Sequence, residues 1–182
     1  MMKPEELKIG SPAPAYNNLP GADGKKYSLS TFSDKKALVI VFSCNHCPYV
    51  QAYEDRMISV QRDYAARGVQ LIAINSNEIE HYPEDNFDEM VKRAKTKGYN
   101  FPYLRDEDQS VANMYGATHT PEFFLFDDKR KLRYRGKMDD NYQNPSAVKT
   151  NFLRDALDAI LSGRDVPQPE TYSIGCTIKW KT

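Results

Sequence analysis

Two thiols stand three positions apart in Ser43-Cys44-Asn45-His46-Cys47-Pro48, close enough to meet where the chain turns. A pair at that spacing can cycle between dithiol and disulfide, and the reactive species in that cycle is the thiolate. His46 lies between the two and can carry positive charge near neutral pH, which favours the Cys44 thiolate and makes the disulfide easier to reduce. Two plainer readings compete, a structural thiol pair and half of a zinc site. A zinc site of the usual kind has a second Cys/His pair at ligand spacing, whereas His81, His119 and Cys176 are scattered along the chain.

A strand on one side and a helix on the other must hold the thiols. Ala37-Leu38-Val39-Ile40-Val41-Phe42 is an unbroken apolar run rich in β-branched residues, which predicts a strand covered on both faces. Beyond Pro48, apolar residues recur at Val50, Tyr53, Met57, Val60 and Tyr64, the spacing of an amphipathic helix. Pro48 suits its first turn, where a missing N–H has no partner to lose. Cys44 is accordingly expected at a helix N-terminus, where free N–H groups and the positive dipole end lower a cysteine pKa to about 3.5–7.5. Cys47, one turn further in, is expected within its reach.

Residues 9 to 34 predict a small hairpin turned at Gly21-Ala22-Asp23-Gly24 and one helical turn near Leu29 to Phe32. After the central helix, Gly68 is a C-cap, Val69 to Ile74 a buried strand, and Asn75 to Pro83 a loop holding a solvated His81. Phe87, Met90, Val91 and Ala94 mark a second helix, acidic at its start and ended by Lys97-Gly98. Strand, helix, strand, helix implies parallel pairing, with the cysteine turn at the carboxyl ends of the strands. A short helix from Ser110 to Tyr115 precedes Thr118-His119-Thr120-Pro121, and Pro121 must start or edge the strand Glu122 to Phe126. Asp127 to Arg130 is a hairpin turn, and Lys131 to Gly136 a half-exposed strand with its cations solvated. Asn144-Pro145 is expected to start the last helix, with Val148, Phe152, Ala156 and Ile160 as its core stripe. The tail, residues 164–182, holds the only tryptophan and is expected to pack on the domain formed by residues 1–163.

The 182 residues are 40% hydrophobic and carry 25 basic against 25 acidic side chains, so no charge bias points to nucleic acid or a membrane surface. The opening residues hold no apolar core of signal-peptide length, so the expected location is cytoplasmic. Three cysteines are too few for a disulfide scaffold; in a reducing compartment a close pair is catalytic or metal-binding.

Cys44-Asn45-His46-Cys47-Pro48 behind a hydrophobic strand resembles the active site of the thioredoxin superfamily, and a histidine before the second cysteine is similar to its more oxidising members. Ile9-Gly10-Ser11-Pro12-Ala13-Pro14 with the Asp23-Gly24-Lys25 turn resembles the opening segment of peroxiredoxins and their thioredoxin-like relatives. The resemblance implies an α/β thioredoxin-like fold, a central mixed sheet flanked by helices, with an N-terminal hairpin extension and a C-terminal tail. It implies a thiol–disulfide oxidoreductase in which Cys44 attacks and Cys47 resolves, with a cis-proline at Pro121, preceded by Thr120, binding substrate. His119 could add charge there. Implied partners are a protein or small-molecule disulfide and a thiol donor such as a thioredoxin or glutathione system, with no cofactor and no resident metal. Cys176 remains open as a packed thiol, an additional redox cysteine or a metal ligand.

Two departures narrow this reading. Peroxiredoxins resemble one another in Pro-x-x-x-Thr-x-x-Cys, but the matching positions here are Ala37 and Val41, which leaves thiol peroxidase as an alternative only. The thioredoxin tryptophan is Ser43 here and its buried acid is Leu38, so deprotonation of Cys47 falls to water, His46 or another group. A further alternative is a metal-binding or copper-handling module built on Cys44, Cys47 and a histidine.

Overall fold

Six consecutive apolar side chains leave no face for water, so a strand made of them must lie inside a sheet covered on both sides. In the computed structural model, which describes residues 5–182, Ala37–Phe42 is fully buried and forms the middle strand of the main sheet. In chain order the strands are β1 (Leu19–Pro20), β2 (Lys26–Tyr27), β3 (Ala37–Phe42), β4 (Val69–Asn75), β5 (Tyr103–Arg105), β6 (His119–Thr120), β7 (Glu122–Phe126), β8 (Leu132–Gly136) and β9 (Cys176–Thr177). The main sheet runs β5-β4-β3-β7-β8. β3 and β5 pair parallel with β4, while β7 pairs antiparallel with β3 and β8. This is the mixed sheet implied by the resemblance. β1 and β2 form the N-terminal hairpin, Leu19 opposite Tyr27.

Alternation along β3 divides the core. Val39 and Val41 face α1 (Pro48–Tyr64), α2 (Phe87–Lys97) and α4 (Phe152–Leu161), while Leu38, Ile40 and Phe42 face α3 (Ser110–Tyr115) and the segments around Tyr16 and Ile178. All five apolar positions expected on α1 are buried. Each fully buried side chain of this size contributes about 1.5–3 kcal/mol. Asn86 caps α2 by accepting from the Glu89 amide, and Gly98 ends it with φ 66°, a left-handed value that glycine takes without steric cost.

Three expectations are corrected. α4 begins at Phe152 after Asn151; Pro145–Ala147 makes a single 3-10 turn, and the buried stripe is Leu153, Ala156, Leu157 and Ala159, without Val148. Arg135 is no solvated cation of β8: its side chain is 12% exposed, lies over the Phe124 ring and pairs with Glu6. Cys44 is not the residue at the helix start, because with Pro48 at the first helical position the N-cap is Cys47. Residues 1–4, part of the stretch expected to lack a leader, lie outside the described residues. No helix among the described residues is long and apolar enough to cross a membrane.

Candidate active site

The carboxyl ends of β3, β4 and β5 come together beneath the cysteine turn, so the chain must satisfy many backbone and side-chain polar groups away from water. It does so with a buried network. Asp85, fully buried, accepts from the Asn45 amide at 2.7 Å, from Asn75 Nδ2 at 3.1 Å and from Asn77 Nδ2 at 2.9 Å. Tyr103 donates to Asn45 Oδ1 at 2.8 Å, and Asn45 Nδ2 donates to the Glu84 carbonyl at 2.9 Å. Asn45, the first of the two residues between the cysteines, is thereby fixed from three sides, which holds the turn that carries the thiols.

His46 meets the same acid. Its Nδ1 lies 2.6 Å from Asp85 Oδ2 without making a hydrogen bond, and its ring stacks on Tyr82. Ligand atoms of Cys44, His46 and Asp85 all lie within 4.8 Å of one another. A nucleophile, a base and an orienting carboxylate in that order can activate the nucleophile by proton transfer. As a metal site the trio is poorly provided, since the Asp85 oxygens already receive three N–H donors.

The three cysteines converge. Cys44 and Cys47 are buried, and Cys176 is half-buried on the tail. Cys44 Sγ lies 3.5 Å from Thr120 Oγ1, the Thr120 carbonyl lies 3.4 Å from Cys47 Sγ, and the Cys47 and Cys176 sulfurs are 2.8 Å apart. The Thr120–Pro121 peptide is cis, as the resemblance implied. His119 lies on β6 with Nδ1 2.8 Å from Thr118 Oγ1, and His81 is in its loop beside Glu78.

The thiols differ sharply in acidity. Cys47 is pulled down to about 4, first because it accepts from the Cys44 thiol, with the Cys176 thiol and the Val50 and Cys176 backbone N–H groups acting the same way against the opposing effect of burial. Cys44 is pushed up by donating to Cys47, by burial and by the Asp85 charge. Burial and the bond to Cys47 push Cys176 up to about 11. Within this coupled pair the lowered pKa falls on Cys47, where the sequence argument expects it on Cys44.

The sequence model of the AhpC/TSA family matches residues 9–135. The chain belongs to that family. A thiol-disulfide oxidoreductase ResA from Geobacillus thermodenitrificans (strain NG80-2) is 26% identical over 129 residues, covering 70% of this chain and 68% of its own. The solved structure of a hypothetical protein SMc02350 from Sinorhizobium meliloti 1021 is 40% identical, covers 98% of each chain and superposes with a TM-score of 0.91. An uncharacterized conserved protein from Geobacillus kaustophilus is 43% identical, with a TM-score of 0.91 over 99% of this chain and 96% of its own.

Asp85, which follows the Asn75 to Pro83 loop, is a site residue that the sequence reading did not single out. One signal was available: Asn75, Ser76 and Asn77 follow a buried strand directly, and polar residues at the carboxyl end of a parallel strand mark where an α/β protein builds its site.

Proposed function

We propose that this protein is a thiol–disulfide oxidoreductase running on the Cys44–Cys47 couple. The observation that carries the reading is the placing of Cys47 at the start of α1 with Cys44 beside His46 and Asp85, both sulfurs lying against Thr120. An oxidoreductase name on the ResA relative supports it.

In this mechanism Cys44 Sγ attacks one sulfur of an incoming disulfide and passes its proton to His46, which Asp85 orients. A Cys44–substrate disulfide forms, the substrate S–S bond breaks, and one substrate thiolate leaves. The Cys47 thiolate then attacks Cys44 Sγ, closing the Cys44–Cys47 disulfide and releasing the second substrate thiolate. In reverse, a donor thiolate attacks Cys44 and Cys47 departs; a low pKa makes it a good leaving group. Stabilising the Cys47 thiolate stabilises the dithiol, so the couple is oxidising. Thr120 lines the docking edge with Pro121, and the substrate class is a protein or small-molecule disulfide, with a thioredoxin or glutathione system as donor. Thiol peroxidase has less support, because the positions its motif fills with proline and threonine are Ala37 and Val41, both buried in β3.

The test is incubation of single variants with oxidised glutathione followed by intact-mass measurement. Cys47→Ser should accumulate a glutathione adduct on Cys44, and Cys44→Ser should abolish exchange. An adduct that never forms on Cys47→Ser, or that survives Cys44→Ser, overturns the assigned roles.

A further inference from the structure

The tail returns across the whole protein to end at the redox pair, and its path is built rather than incidental. β9 pairs antiparallel with β6, setting Cys176 opposite Thr120 and Thr177 opposite His119. Beyond it the Ile178 amide donates to the Thr118 carbonyl at 2.9 Å, and the Lys179 amide donates to Asn77 Oδ1 at 2.9 Å. The Lys179 carbonyl accepts from the Glu78 amide and from Gln109 Nε2, each at 2.8 Å. Asn77 and Gln109 are buried in the folded chain, so the tail is tied to the interior and not to the surface.

Gly175 sets how closely the strand approaches. A Cβ at that position would stand 2.0 Å from the Thr120 carbonyl oxygen, which no side chain can occupy. With glycine there, the strand presses flat on β6 and delivers Cys176 Sγ to within 2.8 Å of Cys47 Sγ. A disulfide is about 2.05 Å long, so less than 1 Å of further approach would join them.

We propose that Cys176 is a third redox-active cysteine, which takes over the disulfide of the Cys44–Cys47 pair by bonding to Cys47. The proposal rests on the Cys44–Cys47 couple being redox-active. The Cys176 thiolate attacks Cys47 Sγ, the Cys47–Cys176 bond forms, and the Cys44–Cys47 bond breaks. Cys44 leaves as a thiolate and takes up a proton equivalent to the one Cys176 gave up. The number of disulfides is unchanged, so the step needs no outside oxidant. Its consequence is access: Cys44 and Cys47 are buried, whereas Cys176 is half-buried on the outside of the pair. A disulfide moved to Cys176 can be met by a donor thiol from solvent, and Cys44 is set free at the same time.

Trypsin makes the test direct, because Cys44 and Cys47 share the peptide 37–56 while Cys176 lies in 165–179. The reduced full-length protein is equilibrated in glutathione redox buffers, quenched in acid, blocked with N-ethylmaleimide, digested and mapped without reduction. The proposal predicts a linked 37–56/165–179 pair alongside the internal Cys44–Cys47 disulfide, with fragment ions placing the link at Cys47. Cys176→Ser should lose the link while retaining the internal disulfide. Gly175→Ala should lower the linked fraction several-fold with the internal disulfide intact. An internal disulfide with no linked pair at any glutathione ratio overturns the proposal and leaves the Cys44–Cys47 couple standing. Failure of both disulfides overturns the couple and the proposal with it.

Discussion

The acidity of Cys47 decides how the pair works, and it can be read directly. A thiol of ordinary pKa near 8.5 is about 3% ionised at pH 7. With its pKa pulled to about 4 by the Cys44 donor and the helix start, Cys47 is almost wholly ionised there, a gain of about thirtyfold. Thiolates absorb near 240 nm, so the absorbance of reduced minus oxidised protein should show one thiolate titrating with a midpoint near 4. Cys47→Ser should remove that step. Cys44→Ala should move it upward, since the Cys44 thiol is the largest cause of the shift. The stability of the reduced form follows in sign. A folded pKa below the unfolded one contributes stability that is complete above about pH 8.5 and is lost as pH falls through about 4. The raised Cys44 pKa acts oppositely, removing stability as pH rises beyond the ordinary thiol range. A midpoint between 8 and 9, or a low-pH step that survives Cys47→Ser and vanishes in Cys44→Ala, refutes the placement of charge on Cys47.

Other outcomes follow from the buried network and the core. Asp85→Asn should cost about 1.5–3 kcal/mol in urea unfolding, the range for hydrogen bonds to a charged group, because one of its N–H donors loses a carboxylate acceptor. Phe124→Ala should cost about 3–5 kcal/mol by leaving a cavity between Phe42 and Tyr115, while the redox potential stays at the wild-type value.

Where pattern and packing coincide, the chain is readable from its letters. β3 and α1 are such cases: a run with no polar face, and a stripe at three-and-four spacing whose five members are all buried. α4 is not, because Asn144-Pro145 has the composition of a helix start yet makes one turn, and Asn151 seven residues later precedes the real helix. The β-branched Val148 and Thr150 between them favour extended chain, and that preference prevails. At the site, the Cys-x-x-Cys pair and the residue pair Thr120-Pro121 are local signals. Asp85 reaches Asn45 across 40 positions and Cys176 reaches Cys47 across 129, distances that only the closed fold can shorten. The helix start lies at Cys47, three residues beyond Cys44, because a cap position is a fact of backbone geometry that the letters alone do not fix.

The central claim is that Cys44 and Cys47 form a reversible couple whose dithiol state is stabilised by the Cys47 thiolate. Its most direct test is an equilibrium titration in glutathione buffers, with the disulfide followed by alkylation and mass. The account predicts a reversible two-electron transition at a potential above the roughly −270 mV of thioredoxin. A Cys44–Cys47 pair that stays dithiol across the whole range of buffers, or a transition well below that potential, would contradict it.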